Sequence, residues 1–283
     1  MDIIRDISKM NHVSCQWKRD TQTVALVPTM GALHAGHLAL AQTAKVHADR
    51  VVMSIFVNPA QFGPQEDLAR YPRDLARDAE LARSAGIDCI FAPDASDMYP
   101  PDFQTWIRVE GVSQGLCGAS RPGHFQGVAT VVAMLFNIVQ PDLAVFGEKD
   151  YQQLLVIRRM VSDLHIPVRI LSHPIVREPD GLAMSSRNQY LSGKERLSAA
   201  SLFQSLKKAE HLFSSGERSA KRIAEAVSNE ILSHPYTTID YIFLGDPEDL
   251  KPQDPLNDPS LLAVAVWVGK TRLIDNIILK QKA

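Results

Sequence analysis

Over about the first 175 residues, short apolar runs alternate with segments of helical spacing. Strand-like runs fall at Val24–Val27, Arg50–Val57, Cys89–Ala92, Leu143–Phe146 and Val168–His173. Helical segments fall at His37–Ala48, Asp74–Ala85, Gly127–Val139 and Asp150–Leu164. In the last of these, Leu154, Ile157, Val161 and Leu164 recur at the period of a helix and mark a buried face. Such alternation predicts an α/β fold, a Rossmann-like parallel sheet with helices on both faces.

The texture changes near Val176. Two helices are expected, at Gly193–Ser214 and Ala220–Ser233. Ser192 with Glu195 three residues on reads as a capping box, and Leu202, Leu206, Ala209 and Phe213 form an inward stripe. Strand-like runs follow at Ile239–Leu244, Leu261–Val268 and Arg272–Leu279, the last two joined by Gly269-Lys270 as a hairpin. The Pro- and Asp-rich stretch Asp246–Pro259 reads as a loop. The expected division is a Rossmann-like domain over 1–176 and a smaller α+β domain over 177–283, with hinge closure of the second over the site.

In open parallel sheets, ligands sit beyond the carboxyl ends of the strands. Four polar segments fall there. The first, Pro28-Thr29-Met30-Gly31-Ala32-Leu33-His34-Ala35-Gly36-His37, reads strand, glycine turn, helix entrance. Unpaired N–H groups and the positive end of the macrodipole suit that entrance to phosphate. Two imidazoles add donors for charge building up on it. Plain helix capping is the competing reading of both histidines. The second segment holds Asn58 and Gln61, whose amides suit hydroxyls or a carboxylate, and Gln152 and Gln153 open a later helix. In the third, Gly147-Glu148-Lys149-Asp150, Lys149 offers a mobile charge to phosphate. Asp150 offers a carboxylate to ribose or to Mg2+. The fourth, Met184-Ser185-Ser186-Arg187-Asn188, brings two hydroxyls and a guanidinium. Arg121–Gly127 is a glycine-rich turn whose chemistry is not readable from sequence.

Composition narrows the choice. With 22% charged residues, 45% hydrophobic residues and a formal net charge of −2, there is no global basic field, so any anion must be held locally. Nucleic acid is not an expected partner. Cys15, Cys89 and Cys117 are widely spaced, with neither disulfide nor metal-ligand pattern, which suits a reducing cytosol. No apolar run approaches the roughly 20 residues of a membrane span, and Met1–Asp6 is too acidic for a secretory leader. Cytoplasmic localisation is expected. Gly269-Lys270-Thr271 resembles the end of a P-loop, but Val264 stands where that motif needs glycine.

Taken together, Met30 to His37, Val57-Asn58-Pro59-x-Gln61-Phe62, Gly123-His124-Phe125-x-Gly127-Val128, Gly147 to Asp150 and Met184 to Asn188 closely resemble the pantoate–β-alanine ligase family. That family lies within the His-x-Gly-His nucleotidyltransferases. The resemblance implies ATP-dependent joining of pantoate to β-alanine through a pantoyl-adenylate, releasing pyrophosphate and then AMP. It implies ATP contacts at Met30, Gly31, Ala32, Leu33, His34, Ala35, Gly36, His37, Gly147, Glu148, Lys149, Asp150, Val176, Met184, Ser185, Ser186 and Arg187. Of these, His34, His37, Lys149 and Arg187 are expected to act on the phosphates. Asn58, Gln61 and Gln153 are expected to hold pantoate and β-alanine. Mg2+ and a homodimer are implied as well. Ala35 stands where the family often has Glu, with little expected effect. Rival readings are a transferase that leaves its nucleotide on a phosphate acceptor, a nucleotide-binding sensor without turnover, and a synthetase fragment that binds tRNA.

Overall fold

The computed structural model describes residues 1–64 and 66–281. The chain divides into two compact units. One comprises Met1–Glu148 and Gln152–Pro174, the other Lys149–Tyr151 and Ile175–Ala283.

The first unit is built on six strands, β1 (Asp2–Ile4), β2 (Val24–Thr29), β3 (Arg50–Ile55), β4 (Cys89–Phe91), β5 (Leu143–Gly147) and β6 (Arg169–His173). All pairings are parallel, in the order β1-β4-β3-β2-β5-β6. From β2 the chain steps outward to β3 and β4, then returns to lay β5 on the other side of β2. This reversal is the switch point of a doubly wound sheet, where a crevice opens at the carboxyl ends. The helices are α1 (Ile7–Arg19), α2 (Ala35–His47), α3 (Leu75–Ser84), the short α4 (Ala95–Met98) and α5 (Cys117–Ser120), α6 (His124–Val139) and α7 (Tyr151–Asp163).

Both faces of the sheet are covered, which is why its strands read as continuous apolar runs. Ala25, Val27, Val51, Met53 and Val145 pack with Leu40, Ala41 and Ala44 of α2 and Ala79 and Ala82 of α3. On α1, Met10 meets Cys89 at 3.9 Å, and Asn11 donates to the Ile138 carbonyl of α6 at 3.3 Å. The edge strand β1 and helix α1 did not emerge from the hydrophobic pattern. The strand has three residues, and the helix buries only Met10 and Ser14, too little for a periodic stripe. The helix expected from Gly127 begins a turn earlier at His124, where Gly123 takes the left-handed φ of +82°.

The second unit has three antiparallel strands, β7 (Thr237–Gly245), β8 (Ser260–Val268) and β9 (Thr271–Leu279), in sequential order. Gly269 and Lys270 close the β8–β9 hairpin, with Gly269 at φ +59°. The helices are α8 (Gly193–Ala199), α9 (Ser201–Ser214) and α10 (Ala220–Leu232). The helix expected over Gly193–Ser214 is thus two. The Ser201 hydroxyl donates to the Ser198 carbonyl at 2.7 Å, competing with the backbone ladder at the joint. Leu202, Leu206, Ala209 and Phe213 are fully buried against Val264, Val266 and Leu273. Each large side chain of that stripe contributes about 1.5–3 kcal/mol by burial. The Ser192–Glu195 capping box is present.

Candidate active site

The turn after β2 is shaped by one buried carboxylate. Gly31 and Ala32 take left-handed φ values of +82° and +49°. That bend aims the N–H groups of Ala32 and Leu33 at Asp78 of α3, at 2.9 and 2.8 Å. A Cβ on Gly31 would lie 2.9 Å from Asp78 Oδ2, so the carboxylate and the glycine require each other. Asp78 is 1% exposed. Burial pushes its carboxyl above the ordinary value, and the Leu33 and Ala32 N–H groups pull it part of the way back.

The two histidines are themselves the cap of α2. His34 Nδ1 accepts the Gly36 N–H at 3.1 Å, and His37 Nδ1 accepts the His34 N–H at 3.3 Å. Their rings are tilted by 32° with centroids 4.0 Å apart. A backbone donor at Nδ1 leaves the proton of each neutral ring on Nε2. The capping reading and the phosphate reading are therefore compatible: capping uses one nitrogen and orients the other as a donor. Ala35, the first helical residue, is exposed.

The turn after β3 is held from α6. Asn58 and Gln61 are both buried, and Asn58 Nδ2 donates to Gln61 Oε1 at 3.0 Å and to the Gly127 carbonyl at 3.1 Å. Gln61 Nε2 lies 3.1 Å from Met30 Sδ, which brings these two expected site residues together. The Gln61 carbonyl accepts from His124 Nδ1 at 2.9 Å. Arg121 donates to His124 Nε2 at 3.0 Å and forks onto Glu66 at 2.8 and 2.6 Å. Because arginine only donates, His124 carries its proton on Nδ1, the opposite tautomer to His34 and His37. The helix approaches so closely that a Cβ on Gly127 would meet the Ala60 carbonyl oxygen at 2.3 Å. The glycine-rich segment of unreadable chemistry is thus the brace of this turn.

Gln152 and Gln153 part company. Gln152 is buried, accepts the Cys117 N–H at 3.0 Å, and donates to the carbonyls of Val112 and Gly115 at 2.9 and 2.7 Å. Gln153 is half-buried, one residue further round α7. At the end of β5, Glu148 accepts from Ser172 at 2.8 Å.

Lys149 and Asp150 belong with the second unit. Lys149 Nζ lies 3.9 Å from Asp150 Oδ2. Residues 176–184 form a small hairpin, with Met184 N–H donating to the Val176 carbonyl at 2.9 Å and Arg177 bridging Ala183. The expected loop follows it directly. Ser185 caps a 3-10 turn over Ser186–Tyr190 by accepting the Arg187 N–H at 3.2 Å. Asn188 donates to Glu178 at 2.6 Å, and Arg196 of α8 forks onto Glu178 at 3.1 and 2.8 Å.

Among the described residues, no group of three or more His, Cys, Asp or Glu could hold a metal ion, and Cys15, Cys89 and Cys117 form no disulfide. No helix there is long and apolar enough to cross a membrane.

The parallel sheet, its switch point and the histidine-capped helix entrance define a Rossmann-like protein of the His-x-Gly-His class. The profile of the family described as Pantoate-beta-alanine ligase matches residues 2–278. Pantothenate synthetase of Moorella thermoacetica is 53% identical over 280 residues, 99% of each chain. That of Geobacter sulfurreducens is 54% identical over 282 residues, the full length of both. The crystal structure of the Thermus thermophilus enzyme superposes with a TM-score of 0.94 at 45% identity, covering 99% of this chain and 100% of that one. A Francisella tularensis pantoate–β-alanine ligase, solved with β-γ ATP and β-alanine, gives 0.82 at 33% identity, over 98% and 97% of the chains. The chain belongs to the pantoate–β-alanine ligase family.

Proposed function

We propose that this ligase consumes ATP in two half-reactions and that the residues described above divide the work. In the first, a carboxylate oxygen of pantoate attacks the α-phosphorus of ATP, and the bond from that phosphorus to pyrophosphate breaks. Pantoate is already ionised near neutrality, since carboxyl groups titrate at about 4. The first step therefore needs no base. Its barrier lies in bringing two anions together and in the charge gathering on pyrophosphate.

The observation that carries this reading is the histidine pair, whose Nδ1 atoms accept backbone N–H groups and whose protons therefore sit on Nε2. His34 and His37 donate to phosphate oxygens, and His37 also passes a proton to one as pyrophosphate departs. Met30 to Ala32 and Gly36 present backbone to ATP, as do Gly147, Glu148 and Val176. Lys149 and Arg187 supply charge, and Ser185 and Ser186 supply hydroxyl donors. Gln61 and Gln153 hold pantoate, and Gln61 with Asn58 receives β-alanine. In the second half-reaction the β-alanine nitrogen, having lost a proton to solvent or phosphate, attacks the acyl carbon. The bond to AMP then breaks.

Mg2+ fits this donor set as an ion carried mainly by phosphate oxygens, with Asp150 as its protein carboxylate. Its chemistry there is to neutralise phosphate charge. A homodimer in the cytoplasm completes the proposal, and light scattering after gel filtration measures the dimer.

The test is release of pyrophosphate and AMP from ATP, Mg2+ and pantoate, with and without β-alanine. One equivalent of pyrophosphate per site without the amine, and repeated release of AMP with it, is the expected result. Absence of pyrophosphate with pantoate would defeat the adenylate route.

A further inference from the structure

Strand β9 reaches two of the proposed ATP-contacting segments at once. Neighbouring residues of a strand point to opposite faces, so Asp275 and Asn276 have different partners. Asn276, 6% exposed, donates from Nδ2 to the Lys149 carbonyl at 3.0 Å. Asp275, 2% exposed, receives the Arg177 guanidinium as a fork, at 2.6 and 2.9 Å. Arg177 also donates to the Gly181 carbonyl at 3.0 Å and stacks over the Phe203 ring at 4.1 Å. It thereby fixes both arms of the 176–184 hairpin that leads into Met184–Arg187. The Asp275 carboxylate also closes locally on its own strand, since the Asn276 N–H donates to Asp275 Oδ1 at 2.8 Å. Burial pushes the Asp275 carboxyl upward, while the charges of Arg177 and Lys149 pull it down, so the Lys149 ammonium is within electrostatic reach of this pair.

We propose that Asn276 is a positioning residue for Lys149, and that the Asp275–Arg177 pair beside it makes β9 the common mount of Lys149 and the Val176–Arg187 segment. The proposal rests on the reading of Lys149 as a phosphate contact. Nothing in the sequence pattern of β9 marks it, because a polar pair within an apolar strand reads as an edge or a solvent face. Its functional consequence is that a side chain with no assigned contact to any substrate sets the placement of the charge that meets the phosphates.

The experiment is a double-mutant cycle on pantoate-dependent exchange of pyrophosphate into ATP, using the full chain with Mg2+. Parent, Asn276→Ala, Lys149→Ala and the double variant are compared, together with KM for pantoate and for ATP. The expected result is exchange about tenfold slower in Asn276→Ala, the scale of one misplaced hydrogen-bonding group. Pantoate KM stays unchanged, and the double variant is no slower than Lys149→Ala alone. A double variant slowed by the product of the two single effects would overturn the proposal and leave the Lys149 assignment standing. Lys149→Ala at the parent rate would remove that assignment and the proposal with it. If Asn276→Ala does not fold, Asn276→Leu fills the same space without the donor and carries the same cycle.

Discussion

The turn after β2 and the turn after β3 stand side by side on the sheet, yet they are fixed by opposite means. The first offers backbone N–H groups, which a buried carboxylate of α3 and the turn's own two histidines accept. The second offers a backbone carbonyl, that of Gln61, which accepts from the imidazole of His124 at the start of α6 and from the guanidinium of Arg121 just before it. The first therefore uses its backbone donors to set histidine protons. The second keeps its backbone acceptor occupied and pairs the two amide heads. In the proposed reaction the first turn meets phosphate, a task served by donors of fixed direction. There the second turn meets hydroxyls and an ammonium, a task served by amides, which both give and accept.

This contrast is broken most severely at His37. Replacing it by alanine removes one Nε2 donor and one accepting nitrogen of the cap, and adenylate formation should slow by ~10²–10³. Rapid-quench measurement of pyrophosphate reads this directly, and an unchanged burst rate would assign the histidine to capping alone. Gly127→Ala strikes the other turn. Its Cβ would press the Ala60 carbonyl, costing about 1–3 kcal/mol by calorimetry and raising pantoate KM while ATP KM holds. An equal rise in both constants would mean that the two turns are not separable. Gln153→Ala is milder, an increase of about tenfold in pantoate KM alone. Weaker ATP binding with pantoate affinity intact would reverse the division of substrates.

The smallest effect concerns Asp78. Because burial raises its folded value, the neutral form is favoured by folding. Its stabilising share is complete below the ordinary carboxyl value of about 4 and fades as pH rises through the raised value. Melting temperatures of the parent relative to Asp78→Asn should accordingly fall across that window. A difference that grows with pH would show that the two N–H groups outweigh burial.

Strand, turn and helix around His34 and His37 were legible because the signal is local: apolar run, glycine, cap, apolar helix. The same holds for the β8–β9 hairpin and the stripe on α9. Asp78 was not legible, since it sits 45 residues from Leu33, on a helix whose other charges are ordinary surface residues. Arg121 and His124 reach 55 and 63 residues back to Glu66 and Gln61, and no spacing rule spans such gaps. Asn276 lies 127 residues from Lys149. What local pattern supplied was the chemistry on offer, and what it withheld was the set of long-range contacts that aim it.

Two glutamines in a row, one buried with three bonds and the other half-buried, make the length of one connection inflexible. A helix turns about 100° per residue. Inserting or deleting a single residue in the 3-10 turn Glu148–Asp150 would rotate α7 by that angle relative to β5. Gln152 would leave its three bonds to the 112–117 loop, and its neighbour would swing toward them. Loop-length variation, the commonest freedom of surface connections, is thus closed to this one.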